Sequence, residues 1–222
     1  MIEFNVVNNL TSKITGIEVD SNQPKKFTVG YKTCDSQTLS GKHYDNYSIS
    51  VYEGLSSPTQ REPVEVFQNI SASSKGASVN LESKFNLLSG LYIIALSVGS
   101  NSQRTLTSFV KLVRGNQSAE FSSSVNLENI LATQTGFELD VHYQILSGMN
   151  PEANRDRFTI YNISDASKLM ASHPVDSPMS EGVCKVQIDT LAGGEVFTIG
   201  YYLGNILGAC AAKQEIVVSN IS

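Results

Sequence analysis

The chain has 222 residues, 41% of them hydrophobic and 17% charged, with a formal net charge of -5. That apolar content and modest charge exclude a disordered chain, and with no basic excess to neutralise phosphates, nucleic-acid binding is not expected. Serine, threonine and asparagine number 30, 13 and 17, a composition that leans towards strands and polar turns rather than helices.

The chain opens with Met1-Ile2-Glu3-Phe4, an acid where a secretory signal carries positive charge, so no signal peptide is expected. The longest apolar run, Leu91 to Leu96, is far short of the ~20 residues that span a bilayer, and no membrane insertion is expected. The corresponding expectation for location is cytoplasmic, virion-associated or exported without a signal. Strands are predicted where apolar residues recur at every second position: Phe27 to Tyr31, Tyr47 to Tyr52, Val79 to Leu81, Tyr92 to Val98 and Phe109 to Val113. The segment Arg114 to Ser118 then reads as a short linker.

From there the order of clusters repeats. Glu120-Phe121 echoes Glu3-Phe4, Phe137 to Tyr143 echoes Phe27 to Tyr31, and Arg157 to Tyr161 echoes Tyr47 to Tyr52. Leu191-Ala192-Gly193 followed by Phe197, Ile199, Tyr201 and Leu203 echoes Leu88-Ser89-Gly90 followed by Tyr92, Ile94, Leu96 and Val98. A last strand, Gln214 to Val218, closes the second copy. Leu127 to Leu131 reads as a helical turn or a strand, and Asp165 to Ala171 as a short helical connection. The predicted architecture is all-β: two tandem antiparallel β-sandwiches related by duplication, residues 1–114 and 115–222, each of about seven short strands. Strand number, spacing and duplication resemble tandem immunoglobulin-like or fibronectin type III-like domains, without the buried Trp or paired cysteines of true immunoglobulin domains. Such a fold names no activity.

Chemistry is sparse. His43, His142 and His173 are the only imidazoles, and no nucleophile elbow or metal-binding helix motif accompanies them, so no catalytic residue is assigned and the chain is not expected to be an enzyme. His142 should face outward from its strand, and His173 should lie in a loop. Glu152-x-Asn154-x-Asp156 has calcium-like alternation but lacks the following glycine and the acid at the twelfth position, so it reads as a solvated loop in which Arg155 and Arg157 neutralise the acids. Neither a metal nor a cofactor is expected. Cys34, Cys184 and Cys210 read either as small buried hydrophobes or as a Cys184–Cys210 pair with Cys34 free. Six N-x-S/T sequons begin at Asn9, Asn46, Asn69, Asn116, Asn162 and Asn220; they carry weight only in a secreted chain.

Function is therefore expected at surfaces. Tyr44, Asn46, Tyr52, Tyr161 and Tyr202 are the candidate contact residues, with alternation pointing Tyr52, Tyr161 and Tyr202 outward. The first copy carries eleven Lys/Arg and nine Asp/Glu, the second five and twelve, so +2 faces -7. Opposite charge suggests that copy one of one molecule meets copy two of the next, in a homo-oligomer or with other assembly proteins. The alternative is an adhesin or toxin component that binds glycans through tip loops 34–46 and 144–157.

Overall fold

The computed structural model describes residues 2–34, 47–98, 104–164, 168–204 and 209–220. The first series of strands is β1 (Glu3–Thr11), β2 (Lys13–Val19), β3 (Lys26–Lys32), β4 (Tyr47–Glu53), β5 (Glu65–Ile70), β6 (Ala77–Glu82), β7 (Leu91–Val98) and β8 (Leu106–Val113). The second is β9 (Asn116–Ser122), β10 (Ser124–Thr133), β11 (Gly136–Gln144), a single helical turn α1 (Pro151–Asn154), β12 (Arg157–Asn162), β13 (Lys168–Pro174), β14 (Glu181–Ile188), β15 (Val196–Tyr202) and β16 (Cys210–Asn220). The fold is all-β and antiparallel in every strand pair described.

Sheet order carries the duplication. One sandwich joins β2-β3-β6 to β5-β4-β7-β8-β9, and the other joins β10-β11-β14 to β13-β12-β15-β16-β1. In immunoglobulin terms each has strands A, B and E in one sheet and C′, C, F and G in the other, which is the arrangement the sequence pattern resembles. The fifth strand of each larger sheet departs from a simple tandem. β9 folds back on β8 through a two-residue turn, with Val113 opposite Asn116, and then continues into β10 of the second sandwich. β1 pairs with β16, Phe4 opposite Val218 and Thr11 opposite Ala212, and then continues into β2 of the first sandwich. Each long edge strand thus begins in one sandwich and ends in the other. The segment Arg114 to Ser118, expected as a linker, is a hairpin turn and the start of a strand.

Burial follows from this crossing. In β3 the alternation Phe27, Val29, Tyr31 points into the core, and in β11 Leu139, Val141 and Tyr143 do the same. In β7 both faces are covered: Tyr92, Ile94, Leu96 and Val98 pack inside their sandwich, while Ile93, Ala95 and Ser97 on the opposite face are also buried. β15 repeats this, with Thr198 and Tyr202 buried behind Phe197, Ile199 and Tyr201. A sheet buried on both faces has lost the solvated side that alternation predicts, and the apolar interiors of the two sandwiches merge into one cluster. Leu127 to Leu131 is strand rather than helical turn, and of Asp165 to Ala171 the described part, 168–171, is strand β13.

Candidate functional site

Where the chain crosses between sandwiches, two buried serines mark equivalent positions. Ser123, between β9 and β10, donates its N–H and its hydroxyl to the Thr107 carbonyl at 2.9 and 3.2 Å. Ser12, between β1 and β2, does more. Its N–H donates to Ala211 O (2.8 Å), its hydroxyl donates to Cys210 O (2.9 Å), and the same oxygen accepts the Cys34 N–H (2.9 Å). One hydroxyl therefore holds together the end of β3 in one sandwich and the start of β16 in the other. Around it Cys34, Cys210, Tyr161 and Tyr202 form a small buried cluster with Leu10 against it. Tyr47 donates its hydroxyl to Cys34 O at 3.2 Å. A cleft of about 450 Å³ adjoins the cluster, lined by Leu10, Ser74, Tyr161, Tyr202, Lys213 and Glu215.

The opposite junction uses the other sandwich's loop. Thr59 and Ser57 donate their hydroxyls to Ser147 O, at 3.1 and 3.4 Å, so the stretch after β11 rests on the short helical turn at Pro58–Gln60. The segment 144–157, expected as a free tip loop, is in part docked.

These contacts correct the outward expectation for three tyrosines. Tyr52 is fully buried, and Tyr161 and Tyr202 retain only 8% and 7% exposure. Period-two alternation assigned each to the face away from its own core, and that face is covered: Tyr161 and Tyr202 by the junction, and Tyr52 in part by Arg61, whose guanidinium lies 5.6 Å from the ring centre. Arg61 in turn donates to the carbonyls of Gly54 (3.2 Å) and Ser56 (2.9 Å) and also reaches Glu53 O. Burial pushes the Tyr202 hydroxyl well above its ordinary range and raises that of Tyr161, so neither is an acid at working pH. Tyr44, Asn46 and His43 lie outside the described residues.

The remaining polar groups do not converge on a reaction centre. Cys184 Sγ lies 3.6 Å from His173 Nδ1, but that nitrogen is 2.7 Å from Pro174 O and so carries the hydrogen, leaving no base for the thiol. Burial, with Asp176 adding to it, pushes the Cys184 thiol upward, the wrong direction for a nucleophile. His173 stands at the end of β13 rather than in a loop. His142 faces outward as expected, 3.8 Å from Glu128. The calcium-like triplet is dispersed: Glu152 and Asn154 sit on α1, whereas Asp156 is fully buried, accepting from Tyr201 OH (2.8 Å) and Gly204 N–H (2.6 Å). That pair of bonds, not Arg155 or Arg157, satisfies Asp156 and corrects the solvated-loop reading. Among the described residues no three His, Cys, Asp or Glu side chains group as metal ligands, and no helix is long and apolar enough to cross a membrane.

The Cys184–Cys210 pair is not formed, because Cys210 faces Cys34 while Cys184 faces His173; all three cysteines are free thiols. Sequence reasoning missed Ser12, and missed Cys34 as a partner of Cys210. No local signal marks either, since the contacts join residues far apart in the chain.

What is left is edge. β1 and β9 each end a five-stranded sheet, and no described strand pairs with their outer sides. On β1, Val6 and Val7 are 45% and 60% exposed, and the run Phe4 to Leu10 contains neither charge nor proline. On β9, Phe121 is 48% exposed and stacks on Phe109 at 4.7 Å between ring centres. Natural edges are usually blunted by charge, proline, a bulge or cover; along its middle β1 has neither charge nor proline, and its one such device is the irregularity at Val7, where the register with β16 shifts between Val6 and Asn8.

No family model and no curated protein matches the chain. Among solved structures it is similar to the chicken interferon gamma receptor alpha chain, at 16% identity over 94% of this chain and 98% of that one, with a TM-score of 0.28. The likeness to immunoglobulin-like and fibronectin type III-like sandwiches rests on strand order.

Proposed function

We propose that this protein is a non-catalytic structural and interaction subunit that self-associates into a larger assembly, such as a filament, surface layer or virus-like particle. The observation that carries the reading is the edge of β1: a strand uncharged from Phe4 to Thr11, with exposed valines and no described strand along its outer side. The occupant is the β9 edge of a second copy. β1 completes the sheet of the acidic second series and β9 that of the near-neutral first, so the pairing joins unlike charge, whereas β1 against β1 would bring two acidic sheets together. Pairing between two different edges is heterologous and propagates unless rotation closes it. Backbone hydrogen bonds supply affinity and the valines supply the apolar contact.

Mass photometry of the purified full chain over a concentration series, at low and at high salt, tests the reading. Multiples of 24.1 kDa should appear as concentration rises and recede as salt rises. Val7→Lys, which adds a charge to an exposed edge position, should suppress them without altering the circular dichroism spectrum. A single monomeric mass at every concentration and ionic strength removes the proposal.

A further inference from the structure

Cys34 and Cys210 are 176 positions apart in the chain, yet they meet at the Ser12 junction with side chains wholly removed from solvent. The geometry that brings them together is over-determined. Ser12 Oγ bonds both backbones, Tyr47 holds Cys34 O, and Tyr161 and Tyr202 close the cluster. Each thiol donates to a backbone carbonyl beside it, Cys34 Sγ to Leu10 O at 3.4 Å and Cys210 Sγ to Ala212 O at 3.6 Å. Disulfides need Cα atoms roughly 4.4–6.8 Å apart and side chains directed at each other; one hydroxyl that bonds both backbones, with both side chains in one small buried cluster, makes the two cysteines neighbours.

We infer that Cys34 and Cys210 form a disulfide-forming pair, a covalent clasp between the two sandwiches, with Cys184 left as the free thiol. The step is thiol–disulfide exchange with a small-molecule disulfide such as oxidised glutathione. One cysteine thiolate attacks the oxidant's sulfur–sulfur bond and releases one thiolate. The second cysteine thiolate then attacks the mixed disulfide, releasing the other. The protein loses two electrons and two protons, and the oxidant leaves as two thiols. In the closed molecule both cysteines are fully buried, so a soluble oxidant does not reach either sulfur and exchange is slow there. Oxidation belongs to folding, before the junction closes, and once formed the bond sits where a reductant does not reach.

The bond closes about four-fifths of the chain into a loop, and a long loop is the case in which a cross-link restricts the unfolded state most. Refolding the full chain in a glutathione redox buffer, alkylating free thiols and mapping the digest by mass spectrometry tests the assignment. The expected result is one alkylated cysteine, Cys184, a Cys34–Cys210 linked peptide in the monomer, and a Tm raised by roughly 10 °C over the reduced protein. Cys184→Ser should leave both bond and shift in place, and Cys34→Ser or Cys210→Ser should abolish both. Three alkylated cysteines after oxidative refolding, or a bond involving Cys184, overturns the inference. A Cys34–Cys210 bond found only in covalent dimers overturns the intrachain clasp. Mapping the unaltered chain decides the matter even if a serine variant fails to fold.

Discussion

Asp156 is a carboxyl taken out of water whose partners among the described residues are a tyrosine hydroxyl and one backbone N–H. Burial pushes it up to about 6 from an ordinary 3.8, and the bonds from Gly204 and Tyr201 offset only part of that. Between those values the folded chain keeps a proton that the unfolded chain has released, so this group lowers stability as pH rises from about 4 to 6 and adds no further slope above. At one pH unit per ~1.4 kcal/mol, the cost at neutral pH is about 3 kcal/mol. Asp156→Asn keeps an acceptor for Gly204 and offers an N–H to the Tyr201 oxygen, without the charge. It should stabilise the protein by about 1–3 kcal/mol at neutral pH, gain little near pH 4, and flatten the slope between, as read from urea midpoints across that range. An equal loss at both ends would mean that the carboxylate's own bonds outweigh its desolvation. Nothing local in the sequence forecast this, because Glu152-x-Asn154-x-Asp156 looks like a surface run until Tyr201 and Gly204 are brought to it from β15 and beyond.

At the level of elements, the turn between β8 and β9 is where local chemistry and fold disagree. Arg114 and Gly115 both have positive φ, 49° and 79°, the signature of a two-residue type I′ hairpin, for which Asn-Gly is the favoured pair. Glycine at the second position is favoured by its φ of 79°, a backbone conformation that L side chains rarely adopt. Arginine at the first is strained, since a left-handed backbone brings its Cβ against the carbonyl. Arg114→Asn should therefore raise stability by about 0.5–1 kcal/mol, and a β-branched Arg114→Val should lower it by a similar amount, measured as shifts in denaturant midpoint at unchanged slope. A neutral Asn variant would show that the turn carries no strain. The same hairpin explains what was legible and what was not. Duplication, strand class and the inward residues of β3, β7, β11 and β15 follow from alternation, which is a local property. Alternation reads the same whichever sheet a strand joins, so the destinations of β1 and β9 were invisible, and with them the burial of Tyr52, Tyr161 and Tyr202.

For the whole molecule, crossing strands change what a two-sandwich protein should do on heating. Two domains on a plain linker have a modest interface and commonly unfold independently. Here the larger sheet of the second sandwich is completed by a strand continuous with β2 of the first, and the larger sheet of the first by a strand continuous with β10 of the second. Melting either sandwich strips the outer strand from the other and exposes residues such as Tyr202, buried against Cys34 on a face that points away from its own core. Neither sandwich retains its full stabilisation alone, so the two transitions are coupled by the loss of a shared buried surface. Calorimetry of the reduced full chain, under conditions where it is monomeric, should show one endotherm with van't Hoff and calorimetric enthalpies in agreement. Ser12→Ala, which removes the hydroxyl bridging Cys34 and Cys210, should lower that single Tm by a few degrees, as expected for about 1–2 kcal/mol lost from a buried bridging group. Two resolved endotherms in the unaltered chain, each with its own enthalpy balance, would mean that β1 and β9 are borne by their host sheets without coupling them.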